Sequence, residues 1–319
     1  MLLELDREQG GAAFDPAFRR DILCGLSSTP KSTPARWFYD RRGSELFEDI
    51  TQLSEYYPTR TERQLLKDIG PRLASACGTG RAVVEFGAGS AAKTPLLLSQ
   101  IDPAAYVPID ISGDFLHDSC KALAEQMPGL RIYPVEADFM HPVALPDDVA
   151  AMPKLGFFLG STIGNMLPGE AVDLLRAMRE SLGDSSMLMI GMDRIKDLDI
   201  LIPAYDDAAG VTADFNLNLL TRINRELRGT IPVDAFAHRA IWNDEAARIE
   251  MHLEARRDIA FTVSGTRFAM QAGETIHTEN SHKYGPRDAR LLLRAGGWEP
   301  VEHWTDAQDW FSIFLAKAA

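Results

Sequence analysis

The chain has 319 residues, 45% of them hydrophobic and 25% charged, which suits one large or two moderate domains, because single cores stop growing near about 250–300 residues. Its formal charge of −13 disfavours a polyanion, so no nucleic acid is expected as a partner; no apolar run approaches the roughly 20 residues that span a bilayer. The acidic opening MLLELDREQGG lacks the basic and apolar regions of an export signal, and Cys24, Cys77 and Cys120 form neither a C-x-x-C pair nor a His-rich ligand cluster. A cytoplasmic monomer is expected, with reduced, packed thiols, no bound metal and no membrane association.

In chain order, the first 60 residues combine short helical patterns with the proline-bearing stretch SSTPKSTPARWFYDRRGSELFEDI and the turn-like EYYPTRTE, a cap rather than a sheet. From Arg81, RAVVEFGAGS reads as a strand ending in glycines, AAKTPLLLSQI as a helix and AYVPIDIS as a strand, together a βαβ unit. A helix at DFLHDSCKALAEQM follows, then strands at RIYPVEAD, KLGFFLGS and SMLMIGMD, with the helix PGEAVDLLRAMRESL between the last two. Such alternation predicts an α/β fold whose parallel sheet is covered on both faces.

After Asp193 the alternation stops. A helical stretch, YDDAAGVTADFNLNLLTRINREL, precedes β-like segments at RIEMHLEARRDIAFTV and GTRFAMQAGETIHT, and PRDARLLLRAGGWEPVEHWTD with WFSIFLAKA returns as a helix, a turn at Gly296 and Gly297, and two strands able to pair antiparallel. The expected division is a nucleotide-binding domain over 62–196 plus 286–319 and a second α+β domain over 1–61 plus 197–285.

Gly87 and Gly89 stand where the first strand of the βαβ unit turns into its helix, where glycine allows unusual dihedrals and close backbone approach to a ligand. Asp110, at the end of the next strand, is placed to accept hydrogen bonds from ribose hydroxyls, and Asp138, ending the third, can face an adenine. GAGSAA also fits the relaxed dinucleotide pattern, so the glycines leave a nicotinamide cofactor and S-adenosylmethionine both open. Lys93, a cation in the first helical turn, is better placed if it meets a ligand carboxylate, which favours S-adenosylmethionine.

Beyond the fourth strand, GSTIGN places Gly160 and Asn165 at the sheet edge where open α/β folds bind ligands; a backbone carbonyl and a side-chain amide there can orient an amine without adding charge. Taken locally, T-E-N-S at 278–281 is equally a polar turn and cap ahead of a helix, and the aromatics read more readily as core than as pocket residues.

WFYD, EYYPTRTE, FLGSTIGN, AYDDAAGVTADFN and RIEM occur together in this order, and on these motifs the chain resembles the histidine-specific α-N-methyltransferases of ergothioneine biosynthesis, from about Ala17 to the C-terminus. The resemblance implies a class I methyltransferase Rossmann-like sheet with a family-specific α+β domain, S-adenosylmethionine as methyl donor and L-histidine as small-molecule substrate. By position it implies that Gly87, Lys93, Asp110, Asp138 and Phe139 contact S-adenosylmethionine, and that Tyr56, Asn165, Tyr205, Glu279 and Ser281 contact histidine, with Asn280 beside them. Phe47 and Met251 fall at pocket positions, and Tyr39, Gly160 and Asn165 nearest the reacting amine. Glu279 and Ser281 would serve the two imidazole nitrogens while Tyr205 and Asn165 fix the α-carboxylate and amine.

The implied chemistry is displacement at a sulfonium methyl by a neutral amine, with Tyr39 assisting proton loss through water and the faces of Tyr39 and Phe47 tolerating positive charge. Three rounds give the trimethylated betaine hercynine. Rival readings are methylation of another amino acid such as tryptophan, against which Glu279 argues, a nicotinamide oxidoreductase, and a non-catalytic binder of the same ligands.

Overall fold

A computed structural model describes residues 15–89, 94–111 and 113–319. Its larger sheet has seven strands, labelled in chain order β1 (Ala82–Phe86), β2 (Ala105–Asp110), β3 (Val135–Glu136), β4 (Lys154–Phe158), β5 (Met187–Asp193), β6 (Trp298–Thr305) and β7 (Phe311–Ala318). They lie in the order β3-β2-β1-β4-β5-β7-β6; β1 to β5 are parallel, and β7 runs antiparallel to both β5 and β6. The two late strands thus pair as the sequence pattern predicts.

All five residues of β1 are buried, as a central strand covered on both faces requires. Alternate side chains serve opposite cores: Ala82, Val84 and Phe86 join the helices Pro168–Leu182 and Pro286–Ala295, whereas Val83 joins Tyr57–Cys77 and Thr94–Ile101. The order reverses between β1 and β4, so the carboxyl ends of the strands there form the crevice in which such sheets bind ligands.

Two elements differ from their predicted extents. RIYPVEAD yields only the two residues of β3 plus an isolated bridge from Ile132 to Tyr106, because Pro134 has no N–H to offer the ladder. The helix predicted from Tyr205 is Val211–Glu226, held off by Gly210, whose φ of 78° is left-handed.

Packing divides the chain into two compact units, one of 1–48, 209–240 and 251–279, the other of 49–208, 241–250 and 280–319. Compactness therefore groups 49–61, 197–208, 241–250 and 280–285 with the large sheet, whereas loss of βα alternation had put them in the second domain. The reason is visible at both ends: Tyr57–Cys77 is a sheet-covering helix, and strands Phe236–Asn243, Arg248–Ala255 and Thr275–His282 each continue past the division.

In the first unit, helix Pro16–Ser27 is capped by the Asp15 carboxylate, which accepts from the Ala17 and Phe18 amides, and it buries Phe18, Ile22 and Leu26 at four-residue spacing. A second sheet has the order Lys31–Ser32, Thr275–His282, Arg248–Ala255, Phe236–Asn243, its first pair parallel. The N-terminal stretch expected to hold no strand therefore contributes one. Strands Ile259–Val263 and Thr266–Met270 form a hairpin whose two turn residues, Ser264 and Gly265, have φ of 48° and 80°, the twist that two-residue hairpins favour. Cys24 is exposed and Cys77 buried, so the expectation of packed thiols fails for Cys24. Among the described residues no helix is long and apolar enough to cross a membrane.

Candidate active site

The glycine loop after β1 is tied to β2 by two amides, Gly87 and Ala88 N–H both donating to the Ile109 carbonyl at 2.8 and 3.2 Å. Gly87 has φ 73° and Gly89 φ 51°, conformations an L side chain adopts at a cost. The Gly89 N–H donates to Asp110 Oδ2 at 3.0 Å, so the acid ending β2 is fixed against the loop, and Ser119 Oγ donates to the Gly89 carbonyl at 3.1 Å. Phe139 packs edge-on to Phe86 and Phe158, with ring centroids 6.4 and 5.9 Å away, and a Cβ on Gly87 would touch it at 3.4 Å. Asp138 accepts from the Met140 amide at 3.0 Å, which orients it in a turn just beyond β3. The structure thus brings Gly87, Asp110 and Phe139 to the carboxyl ends of β1 and β2, while Lys93 lies outside the described residues.

One buried acid beneath this loop escaped the sequence reading. Glu85 accepts from Thr94 Oγ1 at 2.7 Å and from the Tyr106 hydroxyl at 2.5 Å, joining the helix start to β1 and β2. Burial, and secondarily the Glu85 charge, push the Cys120 thiol up to about 11. Its only signal was a glutamate inside the otherwise apolar AVVEF.

The second unit also holds Tyr56, Gly160, Asn165, Tyr205, Asn280 and Ser281. Gly160, with φ 80°, donates its amide to both oxygens of the fully buried Glu62 at 2.8 and 3.0 Å. Asn165 ends the short helix Thr162–Asn165, entered through Ser161 at φ 57°, whose hydroxyl accepts from the Asp193 amide at 2.8 Å. His282 Nδ1 donates to the Gly164 carbonyl at 2.8 Å; burial lowers this imidazole, which suits a ring that keeps one proton for a carbonyl. A Cβ on Gly164 would lie 2.9 Å from the His282 carbonyl oxygen, so the loop and the backbone of Ser281 and His282 approach as only glycine permits. The Tyr56 and Tyr205 rings meet edge to face at 6.3 Å, and Asn280 Oδ1 is buried without a hydrogen-bond partner.

Behind Tyr205 and Ser281 lies a buried ionic cluster, which sequence reasoning also missed. Asp193, the last residue of β5, pairs with Lys283 at 2.8 Å and Lys196 at 2.6 Å and accepts from the Tyr57 hydroxyl at 2.5 Å. Lys283 Nζ donates further to the Tyr205 hydroxyl at 2.9 Å and to Ser281 Oγ at 2.7 Å, and these two oxygens are 2.7 Å apart. Burial raises Asp193, but the two lysines outweigh it and the carboxyl ends below its usual range. Burial pulls Lys196 down to about 8 against the attraction of Asp193, and burial with the Asp193 charge drives Tyr57 well above the usual phenol range.

The first unit holds Tyr39, Phe47, Met251 and Glu279. Tyr39 stands edge-on to Phe47 and Phe215, with centroids at 5.6 and 5.8 Å, a cluster to which Phe215 adds a face not singled out from sequence. Asp40 follows, accepting from Asn218, Arg225 and the Gly43 amide at 2.9, 2.6 and 2.7 Å, so the WFYD segment is anchored to helix Val211–Glu226. Met251 is buried on Arg248–Ala255, its carbonyl accepting from Thr278 Oγ1 at 3.0 Å. The 278–281 segment is part of the strand Thr275–His282 and not a turn, so Glu279 and Ser281 alternate onto one face of it.

A doubly wound sheet of this order, with a reversed strand between β5 and β6, a glycine loop after β1 and an acid at the end of β2, defines a class I methyltransferase. The sequence model described as "Histidine-specific methyltransferase, SAM-dependent" matches residues 18–318, and the chain belongs to that family. It is 39% identical to the histidine N-alpha-methyltransferase of Mycolicibacterium smegmatis and 40% identical to that of Mycobacterium tuberculosis, in each case over 99% of both chains. The ergothioneine biosynthesis protein 1 of Neurospora crassa is 28% identical over 91% of this chain and 33% of its own length. Among solved structures, the PH0226 protein of Pyrococcus horikoshii superposes with a TM-score of 0.49 and 13% identity, covering 88% of this chain and all of that one.

Proposed function

We propose that the protein transfers three methyl groups from S-adenosylmethionine to the α-amino nitrogen of L-histidine, giving hercynine, as a step of ergothioneine biosynthesis. The observation that carries this reading is the end-to-end identity of 39–40% with two histidine N-alpha-methyltransferases. S-adenosylmethionine supplies an electrophilic methyl on a sulfonium. The residues fit such a ligand: the left-handed glycines open the loop, and Asp110, pinned by Gly89, sits where nucleotide-binding sheets hold ribose hydroxyls. Phe139 and Asp138 are assigned to the adenine side, and Lys93 to the amino-acid carboxylate.

Histidine is assigned to Tyr56, Asn165, Tyr205, Met251, Glu279, Asn280 and Ser281. The Glu279 carboxylate accepts an imidazole N–H, a hydrogen bond that an apolar amino acid cannot offer, which favours histidine by about 1–3 kcal/mol. Asn165 and Gly160 orient the amine; Tyr39 assists its deprotonation by hydrogen-bonding a water that carries the proton to solvent, and the Tyr39 and Phe47 faces accommodate the growing positive charge. Incubating protein, histidine and S-adenosylmethionine and weighing the products tests the reading. Additions of one, two and three methyl groups at the α-nitrogen are expected, and histidine recovered unmodified would refute it.

A further inference from the structure

Lys283 is a buried cation that the assignments above leave without a task. Its side chain is wholly buried, and its three hydrogen-bonding contacts are to oxygens: Asp193 Oδ2, the Tyr205 hydroxyl and Ser281 Oγ. An ammonium has three protons and no lone pair, so all three are committed and both hydroxyls must accept from it. The hydroxyls are also 2.7 Å from each other, so one donates to the other. The phenol is the stronger acid and the alkyl hydroxyl the better acceptor, which sets the direction from Tyr205 to Ser281. Ser281 Oγ then accepts twice and has only its own proton to offer outward.

We propose that Lys283 is a positioning residue that fixes Ser281 as a hydrogen-bond donor toward the substrate ring, so that the enzyme binds the imidazole of histidine in its uncharged form. An imidazolium carries N–H on both nitrogens and would meet Ser281 donor to donor; the uncharged ring presents one acceptor nitrogen. The charges facing Lys283 are Asp193 and, across it, Lys196, with the Tyr57 hydroxyl on the same carboxylate. Asp193 and Lys196 remain a matched pair when Lys283 is replaced, so Lys283→Met removes one charge without leaving a carboxylate alone.

The inference rests on the histidine reading, and the experiment separates the two. Histidine labelled with nitrogen-15 in the ring is bound to the wild-type protein with S-adenosylhomocysteine at pH 5.5, below the ordinary imidazole pKa of about 6.5. One pyridine-type and one pyrrole-type resonance are expected; two pyrrole-type resonances, with histidine bound, overturn the inference alone. If no histidine binds at all, the functional reading falls and takes this one with it. Lys283→Met is expected to raise the KM for histidine about tenfold with S-adenosylmethionine binding unchanged, and to give the two-pyrrole spectrum at pH 5.5. Because Lys283 acts through Ser281, adding Lys283→Met to Ser281→Ala is expected to raise KM little further, whereas independent, multiplying losses would show a merely structural lysine.

Discussion

Single side chains divide the work between two ligands, and the division is measurable. Glu279→Ala is expected to weaken histidine about tenfold or more while changing S-adenosylmethionine little, since it removes one acceptor from a buried donor. Asp110→Ala is expected to do the reverse, because the carboxylate it removes is the one pinned by the Gly89 amide. Titration calorimetry with each ligand decides, and equal losses for both would contradict the assignment. Away from the site, His303 stacks on Phe314 at 4.2 Å and is depressed to about 4 by burial, with Arg290 and Arg194 adding to it. The unfolded chain takes up this proton near pH 6.5 and the folded one only near 4, so stability is full above about pH 6.5 and falls as pH drops toward 4. His303 is half-exposed, which reduces the expected loss to about 1–2 kcal/mol. His303→Phe should flatten the change in urea midpoint between pH 7 and pH 5, and an unchanged slope would place the titrating group elsewhere.

At the scale of elements, the loop Gly160–Asn165 is held by contacts rather than by regular structure. Gly160 hangs from Glu62, Ser161 from the Asp193 amide, and Gly164 lies against the backbone of His282. Gly164→Ala would drive a methyl to within 2.9 Å of a carbonyl that cannot move freely. A loss of about 1–3 kcal/mol is expected, together with a raised KM for histidine through displaced Asn165. A variant with the wild-type melting temperature and KM would show that the loop yields. These anchors mark where sequence reading ended. The strand–glycine–helix alternation from Arg81 to Asp193 was legible because hydrophobic period and turn residues are local signals. Glu62, Asp193, Lys196 and Lys283 were not, since a charged residue shows its burial only when its distant partner is known. The strand Thr275–His282 was half legible: its polar end looks like a turn until pairing with its neighbours is seen. The substrate residues themselves were read from family resemblance, as neither spacing nor composition singles out Ser281 or Tyr205.

For the whole molecule, the sheet is closed by strands far apart in sequence. β5 is covered on one side by β4 and on the other by β7, which begins at Phe311, and nearly every residue of β5 is buried. A fragment of residues 49–208 would expose β5 as a long apolar edge. It is expected to aggregate on expression, as judged by size-exclusion chromatography, and recovery of a soluble folded fragment would show that the parallel strands suffice.

The chain passes from one compact unit to the other after residues 48, 208, 240, 250 and 279. A single genetic crossover therefore cannot transplant either unit whole, because each is stitched from three stretches of sequence. Relatives that diverge in acceptor are then expected to have done so by point replacement within a retained frame, and an engineer seeking a new betaine has the same route: change side chains such as Glu279 or Met251 one at a time, not exchange modules.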